Sequence, residues 1–239
     1  MIIVKILGGL GNQMFQYAYA RNLVELGHEV KLDASWFKNY NLHGGLQLNN
    51  YDISIKFATE KDLLNFGIHS LRSKLLRKIG LSNNKLYKEK LEVSNYFLPV
   101  IGSEMYIDGN FLKIGYFEEI TNILVREFTL KNALSKRSNF IKNDIKSRKF
   151  TCSVHVRRGD YLRANNKHHG LCSMSYYRKA MDYMKSNISI QVNFFIFSDD
   201  IQWAKNNFAD DNIIFVSGEE NDKPYEEMYL MSLCQGNIL

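Results

Sequence analysis

From residue 2 onward, short apolar runs alternate with stretches whose apolar positions recur at helical spacing. Residues 2–7 (IIVKIL) are β-branched and apolar and predict a buried first strand. GGLGN (8–12) predicts a tight turn. From 13 to 26, Phe15, Ala18, Tyr19, Leu23 and Leu26 form a helical stripe, and Gly27 is a natural stop. HEVKLD (28–33) predicts a second strand, so the opening is a right-handed, parallel βαβ unit. The second half repeats the rhythm more clearly. Strands are predicted at 150–156 (FTCSVHV), 192–198 (VNFFIFS) and 212–217 (NIIFVS), and NIL (237–239) begins another. Helices are predicted between them: 174–186 capped by Ser173, about 200–208, and 224–234 with Pro224 in its first turn.

The middle, roughly 34–145, is less regular. YDISIKF (51–57) alternates like a strand, and Thr59 with Asp62 makes a capping box for a short helix ending near Gly67. Residues 71–80 (LRSKLLRKIG) are amphipathic and basic, with Leu71, Leu75, Leu76 and Ile79 on one side. The plain reading is a helix packed on the core by one face; the alternative is contact with a membrane surface. Strands alternating with helices imply parallel sheets covered on both faces, in two α/β units at 1–145 and 146–239. Open α/β sheets bind ligands at the carboxyl ends of their strands, where the loops at 8–13 and 155–160 lie.

Composition narrows the class. Of 239 residues, 45% are hydrophobic and only 2 are Pro, which fits a folded chain and argues against low complexity. The net charge of +6 fits an anionic ligand, a nucleic acid or a membrane surface and selects none. No basic–aromatic face of a nucleic-acid module is recognisable, so no nucleic-acid partner is expected. Cys152, Cys172 and Cys234 are odd in number and lack CxxC spacing, and so read as reduced thiols. With no run of ~20 apolar residues and no leader-like N-terminus, a cytoplasmic protein is expected.

The chemistry sits at strand ends. Gly9-x-Gly11 followed by a helix, with Asp33 ending the next strand, invites a dinucleotide reading. Met14, however, occupies the third glycine position of GxGxxG. The favoured reading is that Gly9 and Gly11 let the backbone approach a ligand, with Asn12 and Gln13 supplying hydrogen bonds; the alternative is a plain tight turn. In VHVRRGDY (154–161), Arg157 and Arg158 offer planar forks suited to phosphate. Asp160 could orient one of them and His155 could bond a ribose, a phosphate or a hydroxyl. The competing reading is an internal Arg–Asp pair beside a core histidine. In FIFSDD (195–200), the turn residues Ser198, Asp199 and Asp200 sit at a strand end; the two acids accept from a ribose or a guanine, or cap the next helix. There is no DxD, and His168-His169 on a loop is a poor chelate, so neither a metal nor another cofactor is expected. A metal-independent site for a nucleotide diphosphate follows.

Taken together, GGLGNQMFQYAYA (8–20), HVRRGDY (155–161) and FSDD (197–200) resemble the bacterial α-1,2-fucosyltransferases of glycosyltransferase family 11. The likeness extends to HGGLQLNN (43–50), GYF (115–117), REFTL (126–130), HGLCSMSYY (169–177) and LMSLCQGNI (230–238), in order along nearly the whole chain. It implies a GT-B fold, two Rossmann-like halves facing a cleft. The implied reaction is inverting transfer of L-fucose from GDP-β-L-fucose to the 2-hydroxyl of a galactoside in surface polysaccharide or O-antigen synthesis. The acceptor would be a β-galactoside oligosaccharide, carried on a lipid at the inner face of the membrane. Arg157 and Arg158 would hold the donor pyrophosphate, Asp199 and Asp200 the guanosine, and the GGLGNQ loop would border donor and acceptor. For the base at the acceptor, His155, Asp160 and Asp33 are all candidates. Family members continue past the NII strand into an NSTFSWWGA-like segment, whereas this sequence stops at Leu239, so an incomplete second domain is expected. The competing functions are a non-catalytic GDP- or glycan-binding remnant and an NAD-binding oxidoreductase.

Overall fold

The strands described form two four-stranded sheets, parallel throughout, in the orders β2-β1-β4-β3 and β7-β6-β5-β8. The computed structural model describes residues 1–40, 44–66, 86–89, 104–159, 161–162, 170–209, 211–218 and 222–239. The chain divides into one unit over Met1–Asn132 and another over Ala133–Leu239. The boundary falls before a helix, Lys136–Ser147, that a division at 145/146 would cut near its end.

In the first unit, β1 (Ile2–Lys5), α1 (Leu10–Glu25) and β2 (Val30–Asp33) form the expected parallel βαβ, with Ile2 opposite Val30. The helix starts at Leu10 rather than residue 13, because Gly9 takes an extended N-cap conformation and its carbonyl accepts from Gln13 N at 3.1 Å. A capped helix, α2 (Glu60–Asn65), begins at the predicted Thr59–Asp62 box. The sheet is completed by β3 (Leu86–Lys88) and β4 (Met105–Asp108), and α3 (Thr121–Glu127) follows. Residues 51–57 do not form the predicted strand. Ile55 is buried and Ile53 and Phe57 pack against the same core, but ladder contacts are confined to bridges at Tyr51–Leu130 and Leu32–Phe57. The alternation there records which side faces the core, not pairing in a sheet. The basic segment 71–80 lies outside the described residues.

In the second unit, α4 (Lys136–Ser147) was not predicted. Its apolar side is narrow: Ile145 is buried and Ile141 packs beside it, against Phe195, Phe197, Val216 and Leu230. Ser135 caps it, accepting from Ser138 N at 3.1 Å. Then follow β5 (Thr151–Val156), α5 (Met174–Asn187), β6 (Asn193–Ser198), α6 (Ile201–Asn207), β7 (Ile213–Phe215), α7 (Pro224–Ser232) and β8 (Gly236–Ile238). All match the predicted elements to within two residues at each end. The central strands β5 and β6 are buried almost throughout, as apolar runs covered by helices on both faces should be. Strand β8 is held beside β5 by Gln235, whose Oε1 accepts from Thr151 N at 2.9 Å and Thr151 Oγ1 at 2.6 Å. The cysteines are free thiols. Among the described residues, no helix is long and apolar enough to cross a membrane.

Candidate functional site

Strands β5 and β6 lie side by side, with His155 opposite Phe197 and Val156 opposite Ser198. Their carboxyl ends therefore deliver the RRG and SDD loops to one place. Ser198 makes the junction rigid. Its Oγ donates to Val156 O at 2.9 Å and accepts from Asp200 N at 3.0 Å, while its N–H donates to Ser217 Oγ at 3.0 Å. Ser198 is buried, and its hydroxyl is used by the chain itself.

Asp199 and Asp200 take two of the roles the sequence offered, pairing with arginine and capping a helix. Asp199 Oδ1 accepts from Arg158 N at 2.8 Å and Gly159 N at 3.1 Å, and its Oδ2 lies 3.0 Å from Arg157 Nη1. Asp200 Oδ1 caps α6 by accepting from Trp203 N at 3.2 Å, and Oδ2 pairs with Arg158 Nε at 3.3 Å. Both carboxylates hold arginines in place, the pairing that was the competing reading of the sequence. Such pairing satisfies acid and base without removing the guanidinium edges that face away from the acid. Arg157 is the more open of the two, its side chain 34% exposed against 16% for Arg158. The Arg158 guanidinium also lies over the Trp203 ring, 3.9 Å from its centroid. Asp160 lies outside the described residues, as do His168 and His169.

His155 is half-buried near the end of β5. Burial pushes its pKa below the usual 6.5, the Arg157 charge adds to this, and Asp199 opposes it. The imidazole is therefore neutral at neutral pH and able to accept a proton. The depressed pKa gives a signed prediction. Above pH 6.5 the ring is neutral in both folded and unfolded chains; below it the unfolded chain takes up the proton first, so stability falls as pH drops. Between pH 7 and 5 the urea midpoint should fall further for the wild type than for His155→Gln. Equal falls would mean that the ring is not held neutral.

One residue here had no signal in the sequence. Glu227, in the first turn of α7, accepts from Ser217 Oγ, the hydroxyl that receives Ser198 N. Burial raises its carboxyl pKa against the opposing hydrogen bond from Ser217. Its place in an acidic helix start reads as ordinary dipole compensation.

The GGLGNQ loop belongs to the first unit. Gly8 has φ +80°, and a Cβ there would meet Asn12 Nδ2 at 2.6 Å, so the turn needs glycine. Gln13 departs most from expectation. It is fully buried; its Nε2 donates to Gly8 O and Gly45 O, both at 2.9 Å, and its Oε1 accepts from Gln47 N at 2.9 Å and Leu48 N at 3.3 Å. The amide is saturated and cannot serve a ligand; it is a latch between two loops. Asn12, by contrast, is half-buried, and no described residue takes its side-chain amide. Gly9 is the helix N-cap. Gly11 lies in the first turn, where a Cβ would meet no described atom within 4 Å. Asp33 is 2% exposed and accepts from Tyr106 Oη at 2.7 Å and Ser35 N at 2.8 Å. That removes it as a ribose-binding acid or general base, and with it the main support for an NAD reading. Among the described residues, no group of three or more His, Cys, Asp or Glu side chains is gathered as for a metal ion.

The family model for glycosyl transferase family 11 matches residues 1–239. An alpha-1,2-colitosyltransferase of Escherichia coli is 31% identical, over 100% of this chain and 83% of that protein. The O-antigen biosynthesis glycosyltransferase WbnK of Escherichia coli is 29% identical, over 97% and 84%. The human galactoside alpha-(1,2)-fucosyltransferase 1 is 27% identical over 57% of this chain and 42% of its own. A match running the full length of the chain, through both parallel sheets and the paired arginine and aspartate loops, places this protein in glycosyl transferase family 11.

Proposed function

We propose that the protein transfers a 6-deoxy-L-sugar from its GDP-activated form to the 2-hydroxyl of a galactoside, with inversion, in the synthesis of a surface polysaccharide. The observation that carries the reading is the pair Arg157 and Arg158 at the end of β5, held by Asp199 and Asp200 from the end of β6. As the bond from the sugar C1 to the β-phosphate oxygen breaks, negative charge gathers on GDP, and guanidinium groups already in position stabilise it. The acceptor oxygen forms the new bond to C1 and gives up its proton; neutral His155 is the candidate to receive it. L-Fucose is the donor sugar by resemblance. Colitose, which is L-fucose without its 3-hydroxyl, is favoured as a second donor by the similarity to the colitosyltransferase.

The test is an assay with GDP-L-fucose and GDP-colitose on a β-galactoside, with the product linkage read by NMR. An α-1,2 product from either donor, at a rate unchanged by EDTA, is expected. Failure with both donors, or a requirement for added Mg²⁺ or Mn²⁺, would overturn the reading.

Gly11 offers a separate check. No described neighbour and no unusual φ demands glycine there. Within this reading the demand comes from a bound substrate. Gly11→Ala should raise unfolding free energy by about 0.5–1 kcal/mol, because alanine is the better helix former. It should also lower turnover by roughly 10–100-fold through displaced substrate. A variant that is stabilised and fully active would take Gly11 out of the site.

A further inference from the structure

We infer that Trp203 is a positioning residue for the donor diphosphate, its indole face holding the Arg158 guanidinium in the plane in which the Nη groups meet phosphate oxygens. The inference rests on the proposed role of Arg158 and goes beyond it, since nothing in that role requires an aromatic on α6.

Two contacts define the guanidinium. Along one edge, Nε pairs with Asp200 Oδ2 at 3.3 Å; across its face, the Trp203 ring centroid lies 3.9 Å from Cζ. An edge contact alone leaves the fork free to swivel about the Nε–H···O direction, and a face contact alone leaves it free to spin over the ring. Together they fix both plane and azimuth. The contacts come from the N-cap and the first turn of α6, and Asp200 couples them, because its other oxygen accepts from the backbone N–H of Trp203. The mount is thus a single rigid piece that follows β6 directly. Among the described residues nothing accepts from the Nη groups of Arg158, which are the edge suited to bidentate phosphate binding. The Arg157 Cζ is 6.0 Å from the Tyr161 ring, beyond close stacking, and its side chain is twice as exposed.

A purely structural role for Trp203 would be packing. It stands edge-on to Phe208 at 6.2 Å and borders the core on that side of the sheet. The two roles separate by changing the charge distribution of the ring without changing its shape. Trp36 is the other tryptophan in the chain, so Trp36→Phe leaves Trp203 alone for replacement by mono-, di- and trifluorotryptophan. Fluorine withdraws electron density from the ring face and weakens its hold on a cation. GDP affinity, measured by calorimetry on the full chain, should fall stepwise with fluorine number. The total should be on the order of tenfold, the donor KM rising with it while the acceptor KM and the melting temperature stay in place. Arg158→Ala is measured alongside. If Arg158→Ala weakens GDP binding but the fluorine series is flat, the positioning role is overturned and the diphosphate reading survives. If Arg158→Ala binds GDP as tightly as its parent, the diphosphate reading fails and the inference falls with it.

Discussion

Arg158→Ala should lower turnover by about 100–1000-fold, the usual effect of removing one preorganised donor to developing charge, and Arg157→Ala should do the same. The folded state should tolerate either change. Asp199 would keep its hydrogen bonds from the N–H groups of residue 158 and Gly159, and Asp200 its bond from Trp203 N, so neither carboxylate is left bare. Melting curves near the wild type are therefore expected beside the loss of activity. Arg158→Lys should fall between. It keeps the charge but loses the planar fork and the Nε–H that pairs with Asp200. Activity of either alanine variant within tenfold of the wild type would remove the arginines from the reaction.

The largest effect on stability is expected at Gln13, a residue whose polarity and position at a helix start suggested ligand binding. Replacing it with leucine keeps the size but strands the carbonyls of Gly8 and Gly45 and the N–H groups of Gln47 and Leu48. Buried groups without partners cost about 1–3 kcal/mol each, and with some relaxation the loss should be roughly 3–4 kcal/mol. Hydrogen exchange should show protection lost first in Met1–Asn132, the unit that holds Gln13 and all four of its partners. A change below about 1 kcal/mol would mean that the amide is no latch.

The contrast between Gln13 and the arginines shows what the sequence could disclose. The arginines follow a buried apolar run, and charge at that point is costly unless something binds it, so local context was sufficient. Three of the four partners of Gln13 lie more than thirty residues away, with |i−j| of 32 to 35, and no local pattern announces them. For Asp199 and Asp200 the sequence offered ribose or guanine contact, helix capping and pairing with an arginine side by side; the structure shows capping by Asp200 and a pair with arginine for each. Trp203 was invisible because an aromatic at helical spacing reads as core. The second unit was legible as a fold because β5 and β6 are long buried runs with clear caps between them. The middle was not: β3 and β4 have only 3 and 4 residues, and α4 buries little beyond Ile145 on its apolar side.

The position of β8 has a consequence for synthesis. It pairs with β5, and Gln235 ties to Thr151 across 84 residues of sequence. While the chain emerges from the ribosome, β5, β6 and β7 can assemble in order, but one side of β5 stays an unpaired edge until residues 235–238 appear. That edge strand is apolar and becomes central only when β8 joins it, with Cys152 and Val154 fully buried once folded. An open apolar edge invites pairing with another chain. Yield in a cell should therefore depend on how quickly translation proceeds from α7 into β8, and slow codons between them should favour inclusion bodies without altering the finished protein.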